Sequence, residues 1–146
     1  MANKYFQNKK MISYTTIASL ASKYLNDTSV EYIPEVSYNE PDGRLCISGE
    51  SYHEYAVEFF QPVFDWLQRF IEEKPERKLT VSFKMSYYNT STSRRFVDMM
   101  RILEEHHQRG GNVTVEWHYE ADDFDMSESG KEFAQSVSFE FKFFAY

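Results

Sequence analysis

The chain has 146 residues, a net charge of -7, and an aromatic-rich composition with 13 Phe and 11 Tyr. This length predicts one domain with a substantial core. The acidic balance disfavours nucleic acid and anionic membrane, which attract clustered Lys and Arg. No apolar run approaches the roughly 20 residues needed to cross a bilayer, so we expect no membrane insertion. Cys46 is the single cysteine, which excludes an internal disulfide and indicates a reducing, cytoplasmic setting.

The first elements along the chain are a short helix and a hairpin. We treat residues 1–25 as an N-terminal extension with a short helix, because its last nine residues contain one apolar helical face; the β-branched residues between Ile12 and Ile17 leave a strand as the alternative. The folded domain is expected at residues 26–146. Within it, Pro41 and Gly43 mark a turn between two alternating strands, the second of which is expected to end at Gly49.

The next element is the best-defined helix of the sequence. Residues 51–54 read Ser-Tyr-His-Glu, which fits a capping box in which Ser51 caps the helix. The apolar stripe that follows predicts a helix whose one face is buried, and Pro62 interrupts its backbone hydrogen bonding. The stripe consists of Tyr55, Phe59, Val63, Trp66 and Phe70.

The second half alternates strands with helices. Alternation predicts strands at residues 79–86, 113–118 and 137–143, and helical spacing predicts a helix that ends near Gln108, before Gly110 and Gly111. A shorter helix is expected at residues 126–135. The order β-β-α-β-α-β-α-β predicts an α/β fold with a mixed β-sheet of about five strands and helices packed on it.

Catalytic and metal-binding patterns are weak in this sequence, and we assign no catalytic residue, metal ligand or cofactor. His106 and His107 are neighbours on a helix and point about 100° apart, so a solvated surface is favoured over a metal site. The acidic loop from Asp122 to Glu128 lacks the spacing of a calcium loop. A small-molecule or metal-binding module or enzyme that uses this loop with His118 remains the alternative function.

The most informative stretch joins the third strand to the second long helix. It reads Tyr87, Tyr88, Asn89, Thr90, Ser91, Thr92, Ser93 and Arg94. Ser, Thr and Asn cap helix starts, so a plain cap is the commonest explanation of such a run. Four consecutive hydroxyl residues exceed what a cap needs, however. A phosphate at a helix start is stabilised by free N–H groups and by nearby arginines, which makes a phosphorylation switch the second interpretation.

This stretch resembles the Tyr-x-Asn-Thr-Ser-Ser-x-Lys signature of the SiaC-type regulatory phosphoproteins of bacteria. Further blocks are similar to that family in the same order, and the resemblance covers about residues 28–143. These blocks are the Ile-x-Gly-x-Ser-x-x-Glu segment 47–54, the aromatic and Pro-Trp segment 59–67, the strand 115–119 and the acidic segment 123–128. His53 replaces the usual Pro, and Arg94 replaces the usual Lys.

The resemblance implies a STAS-like regulatory domain over residues 26–146. It also implies that Thr90 is phosphorylated by a Ser/Thr protein kinase and dephosphorylated by a PP2C-like phosphatase. In the characterised system the unphosphorylated form activates a diguanylate cyclase, which links partner switching to cyclic-di-GMP, aggregation and biofilm formation. The expected protein is therefore a non-enzymatic signalling protein. Its expected phosphate loop and partner-binding surface consists of the residues around Thr90, namely Tyr87, Tyr88, Asn89, Ser91, Thr92, Ser93 and Arg94. A structural module that oligomerises through its N-terminal segment is a third possibility.

Overall fold

A computed structural model describes residues 33–52 and 55–146 of the chain. The expected N-terminal extension, including its helix, lies outside these residues, as do His53 and Glu54. Within the described part, no helix is long and apolar enough to cross a membrane.

The described chain forms five strands and three helices in the order expected from the sequence. The strands alternate with the helices after an initial hairpin. The elements are β1 (Glu35–Asn39), β2 (Arg44–Ser51), α1 (Ala56–Glu73), β3 (Leu79–Tyr88), α2 (Thr90–Gln108), β4 (Val113–Tyr119), α3 (Phe124–Gln135) and β5 (Glu140–Ala145).

The five strands form one mixed sheet in the spatial order β1-β2-β3-β4-β5. The hairpin pairs β1 antiparallel to β2, and the remaining neighbours are parallel. Because crossovers between parallel strands are right-handed in nearly all proteins, three successive crossovers in one direction place the connecting helices on the same face of the sheet. The carboxyl ends of β2, β3 and β4 therefore lie along one edge of the sheet, where the β3–α2 turn is found.

The core lies between the helices and the sheet, and aromatic rings fill it. Phe96 of α2 packs edge-on against Phe83 of β3, with ring centroids 4.9 Å apart. Trp117 of β4 contacts Phe133 of α3 at 5.5 Å and donates a hydrogen bond from Nε1 to the Met126 carbonyl at 2.9 Å. These contacts fix the positions of α2 and α3 on the sheet.

Gly130 has a packing role in α3 that its weak helix propensity does not reveal. A Cβ at this position would lie 2.4 Å from Cδ1 of Trp117. Only glycine lets α3 approach the indole ring so closely, and Gly130 is buried as a result. Gly130 is therefore required for the docking of α3, although glycine has a low helix propensity.

The capping box expected at residues 51–54 is wrong. Helix α1 begins at Ala56, and its N-cap residue is Tyr55, which makes no side-chain capping bond. Ser51 is instead the last residue of β2, which continues past Gly49 with a register shift between Gly49 and Glu50. Its side chain faces the buried interior rather than the start of α1.

Two smaller expectations also differ from the structure. The last strand begins at Glu140 rather than Val137. Free cysteine is among the residue types most often buried, but Cys46 has intermediate exposure. It lies on the face of the sheet opposite the helices, because its neighbours Leu45 and Ile47 on β2 are fully buried beneath them.

Candidate functional site

The turn between β3 and α2 is closed by Asn89. Its backbone is extended (φ -89, ψ 179), and its side-chain oxygen accepts a hydrogen bond from the Thr92 N–H at 3.0 Å. The Ser93 N–H donates to the Asn89 carbonyl at 2.9 Å and begins the helical ladder. Asn89 therefore performs the capping role, which leaves the four hydroxyl residues free for other tasks.

The four hydroxyl residues differ sharply in exposure. Thr90, the first residue of α2, is exposed, whereas Ser91 and Ser93 are half-buried. Thr92 is fully buried. Helical phase explains the pattern, since Thr92 lies one turn before the buried Phe96 on the same stripe, whereas Thr90 lies outside that stripe. The helical spacing in the sequence is sufficient to predict this difference in exposure.

A buried hydrogen bond connects this turn to the end of β2. Oγ of Ser51 lies 2.7 Å from Oγ1 of Thr92, and both side chains are fully buried. The Ser51 carbonyl also accepts a hydrogen bond from the Asn89 N–H at 3.0 Å. Ser51 thus contacts the residue before Thr90, Asn89, through its carbonyl and the buried Thr92, two residues after Thr90, through its hydroxyl. Sequence reasoning assigned Ser51 to α1 and missed this role.

The two tyrosines before the turn point to different environments. Tyr87 is 49% exposed and contacts Tyr52 of the β2–α1 connection edge-on, at 4.9 Å between ring centroids. Tyr88 is half-buried and packs on Phe96 at 5.0 Å. Burial raises the pKa of the Tyr88 hydroxyl above its ordinary value, although a hydrogen bond with Ser129 opposes the shift. Only Tyr87 contributes a broad aromatic surface beside Thr90.

Of the two arginines near the start of α2, Arg95 forms an ion pair within the described part of the chain and Arg94 does not. Arg95 pairs with Asp98 at 3.1 Å, and Asp98 also accepts from Arg101 at 2.7 Å. Arg94 is exposed, and no ion pair connects it with another residue of the described segments. It lies four residues after Thr90, so the two side chains share one face of the helix. The Arg94 guanidinium is therefore about one helical turn from the Thr90 side chain.

The three described histidines, His106, His107 and His118, do not converge on a metal-binding arrangement. His106, expected on a solvated surface, is buried at 4% exposure and lies where a Cβ on Gly111 would clash with its ring. Burial lowers the pKa of His106, with contributions from Arg109 and His107. Among the described residues, no group of three or more His, Cys, Asp or Glu side chains is arranged to hold a metal ion.

The acidic loop and His118 have separate structural partners. Asp123 caps α3, since its Oδ1 accepts a hydrogen bond from the Met126 N–H at 2.9 Å. His118 stacks on Phe144 of β5 at 4.9 Å, and its Nε2 lies 3.7 Å from a carboxylate oxygen of Glu116. These contacts account for Asp123 and His118 without a shared ligand site.

The fold and the turn together define a small α/β domain that presents an accessible threonine at a capped helix start. The model of the SiaC family of regulatory phosphoproteins matches residues 25–146. An uncharacterised protein of Pseudomonas aeruginosa is 35% identical over 108 residues, which cover 74% of this chain and 85% of that protein. The chain belongs to the SiaC family.

Solved structures from Pseudomonas aeruginosa share this fold. Apo-SiaC has 35% sequence identity and a TM-score of 0.73, with 79% of this chain and 93% of that chain covered. SiaC in complex with the diguanylate cyclase SiaD, which it activates, has 34% identity and a TM-score of 0.76, with 80% and 94% covered. These similarities confirm the family and the mixed α/β fold expected from the sequence.

Proposed function

We propose that this protein is a non-enzymatic signalling protein whose binding to a partner is controlled by phosphorylation of Thr90. The observation that carries the proposal is the difference in exposure along the turn. Thr90 is exposed at the first position of α2, whereas Thr92 is fully buried and hydrogen-bonded to Ser51. A kinase needs an accessible hydroxyl, so the geometry favours Thr90 over Thr92 as the acceptor.

The surroundings of Thr90 suit a phosphate without disturbing the fold. The first N–H groups of a helix have no acceptor within the helix, and they carry a partial positive charge. Arg94 lies one turn further along and is exposed. A phosphothreonine adds about -1.5 to -2 charge, and these groups can form charge-assisted hydrogen bonds to it. We therefore expect the phosphate to lie on the helix start and to change the surface rather than the core.

The proposed partner surface is centred on this helix start. Tyr87 offers half of its side chain beside Thr90, and Ser91, Ser93 and Arg94 surround the acceptor on α2. The buried Thr92 and the capping Asn89 would hold the surface in shape rather than touch the partner. A partner that packs on the unmodified threonine would have to desolvate a dianion after phosphorylation, which opposes binding.

The relative bound to the diguanylate cyclase SiaD suggests the class of partner. We propose that the unphosphorylated protein binds a diguanylate cyclase and that a Ser/Thr kinase and a PP2C-like phosphatase set the phosphorylation state. Such a pathway would regulate cyclic-di-GMP and biofilm formation. A kinase and a diguanylate cyclase use nucleoside triphosphates, which are cytoplasmic substrates. We therefore propose that the switch operates in the cytoplasm.

The first test is site mapping on the protein isolated from its own cells. Intact mass and peptide sequencing by mass spectrometry should reveal one phosphate on Thr90, and Thr90→Ala should remove it. Thr92→Ser, which preserves a hydroxyl at the buried position, should leave the phosphorylated fraction unchanged. The absence of phosphate from Thr90, Ser91 and Thr92 under every growth condition would contradict the proposal.

A further inference from the structure

A groove between α2 and α3 begins at the proposed acceptor. It has a volume of about 660 Å³, and Thr90, Ser93 and Ser129 lie along its walls. Helix α2 makes more close backbone contacts with α1 than with α3, and the groove lies on the less closely packed side. Hydrogen bonds between Glu104 and Ser138 close the far end, at 2.6 Å between the side-chain oxygens. The groove is thus a long depression that the proposed switch residue borders at one end.

The floor of the groove is apolar. Tyr88, Val97, Met100, Phe133 and Val137 line it. Val97 is 53% exposed, although it lies within a helix whose other large apolar side chains are mostly buried. An exposed apolar side chain in a concave surface is typical of a binding site rather than of a solvated helix face.

The rim of the groove is acidic. Glu104, Glu105 and Glu132 lie along it, and Arg101 is the one cationic side chain among the groove's lining residues. Arg101 is already paired with Asp98 at 2.7 Å, and Glu104 is bound to Ser138 and Gln108. Glu105 and Glu132 are exposed. They remain available to a positively charged partner.

We propose that this groove docks an amphipathic helix of the partner, with its apolar stripe on Val97 and Phe133 and with Lys or Arg residues facing Glu105 and Glu132. The inference rests on the proposed function and specifies the partner's binding element. A depression between two helices can be filled by a third helix that packs its side-chain ridges between them. From Thr90 to Glu104 the groove wall extends about 21 Å, at 1.5 Å per residue, which is the length of roughly four helical turns.

Docking in this groove connects partner binding to Thr90. The end of the docked helix would cover the start of α2, where the phosphate is expected. A phosphate there adds bulk and negative charge at a place that must lose water on binding. Phosphorylation would therefore oppose docking without any rearrangement of the core.

The test uses the full chain and a purified diguanylate cyclase from the same organism, titrated by calorimetry at several salt concentrations. Val97→Glu should weaken binding at least tenfold. Val57→Glu is the matched control, since Val57 is 49% exposed on α1 and does not line the groove. The affinity of this control variant for the cyclase should stay within twofold of that of the wild type. Unchanged circular dichroism and melting temperature in both variants would show that the fold is intact.

Charge reversal tests the chemistry of the partner. Glu105→Lys/Glu132→Lys should weaken binding at least tenfold at low salt and flatten the dependence of affinity on salt, because attraction between exposed charges is screened by ions. Glu58→Lys/Glu73→Lys, two exposed positions of α1, is the control of equal charge change. Its salt dependence should remain close to that of the wild type.

The outcomes separate this inference from the proposed function. If Thr90→Asp abolishes binding while Val97→Glu and the groove charge reversal bind like the wild type, the groove is not the docking site and the switch at Thr90 stands. If Val97→Glu converts a dimer of the free protein into monomers, a second copy occupies the groove and the inference is wrong. If no cyclase binds the wild-type chain, both proposals are contradicted.

Discussion

The hydrogen bond between Ser51 and Thr92 leads to a quantitative prediction about stability. Thr92→Val keeps the shape of the side chain but leaves the buried Ser51 hydroxyl without this partner. An unsatisfied buried polar group costs about 1–3 kcal/mol, so we expect a loss of that size in the free energy of unfolding. Ser51→Ala should cost a similar amount, because both hydroxyls are fully buried and lie 2.7 Å apart.

The double variant tests whether these two costs share one cause. Ser51→Ala/Thr92→Val removes both hydroxyls, so neither is left unsatisfied, and its cost should be smaller than the sum of the single costs by about 1 kcal/mol. Urea unfolding can be followed by fluorescence of the buried Trp66 and Trp117. Ser86→Ala is the control, since this exposed hydroxyl makes only a 3.3 Å bond to the Gly49 carbonyl.

Two results would refute this reasoning. One is a Thr92→Val variant that differs from the wild type by less than about 0.5 kcal/mol, the range of ordinary surface substitutions. The other is exact additivity of the two single variants, which would show that the hydroxyls do not interact. Either result would show that the hydrogen bond between the Ser51 and Thr92 side chains does not stabilise the turn that carries Thr90.

Two further predictions concern other parts of the fold. Gly130→Ala should destabilise the protein by about 1–3 kcal/mol, because its Cβ would overlap the Trp117 ring. A thermal melt in which Gly130→Ala unfolds at the same temperature as the wild type would contradict this prediction. Glu104 has its pKa lowered to about 2 by hydrogen bonds from Ser138 and Gln108. Its contribution to stability is present above the ordinary pKa of 4.5 and is lost as pH falls towards 2. Glu104→Gln should therefore lose less stability across that range, and equal acid sensitivity of both proteins would refute the assignment.

Much of the fold could be predicted because each helix and strand buries one face. The stripe containing Phe59, Val63 and Trp66 predicted α1, and these side chains are buried against the sheet. The order of strands and helices is confirmed. The start of β5 was placed too early because Val137 and Phe139 of the preceding connection also pack against the core, so the apolar alternation begins before the strand pairing does.

The details of the candidate site were harder to predict. The motif at residues 51–54 has the local pattern of a capping box, but Ser51 finds its partner at Thr92, 41 residues away. Local patterns cannot reveal such a partner. His106 was misjudged for a related reason, since a Gly111 without a side chain lets the imidazole ring fill the space beside it.

The central claim, that phosphate on Thr90 controls partner binding, can be measured directly. Protein carrying phosphothreonine at position 90 and unphosphorylated protein should be titrated with the same purified diguanylate cyclase, with Thr90→Ala as the control for loss of the hydroxyl. We predict that the unphosphorylated protein and Thr90→Ala bind, whereas the phosphorylated protein binds at least a hundredfold more weakly. Equal affinities of the phosphorylated and unphosphorylated proteins would contradict the account.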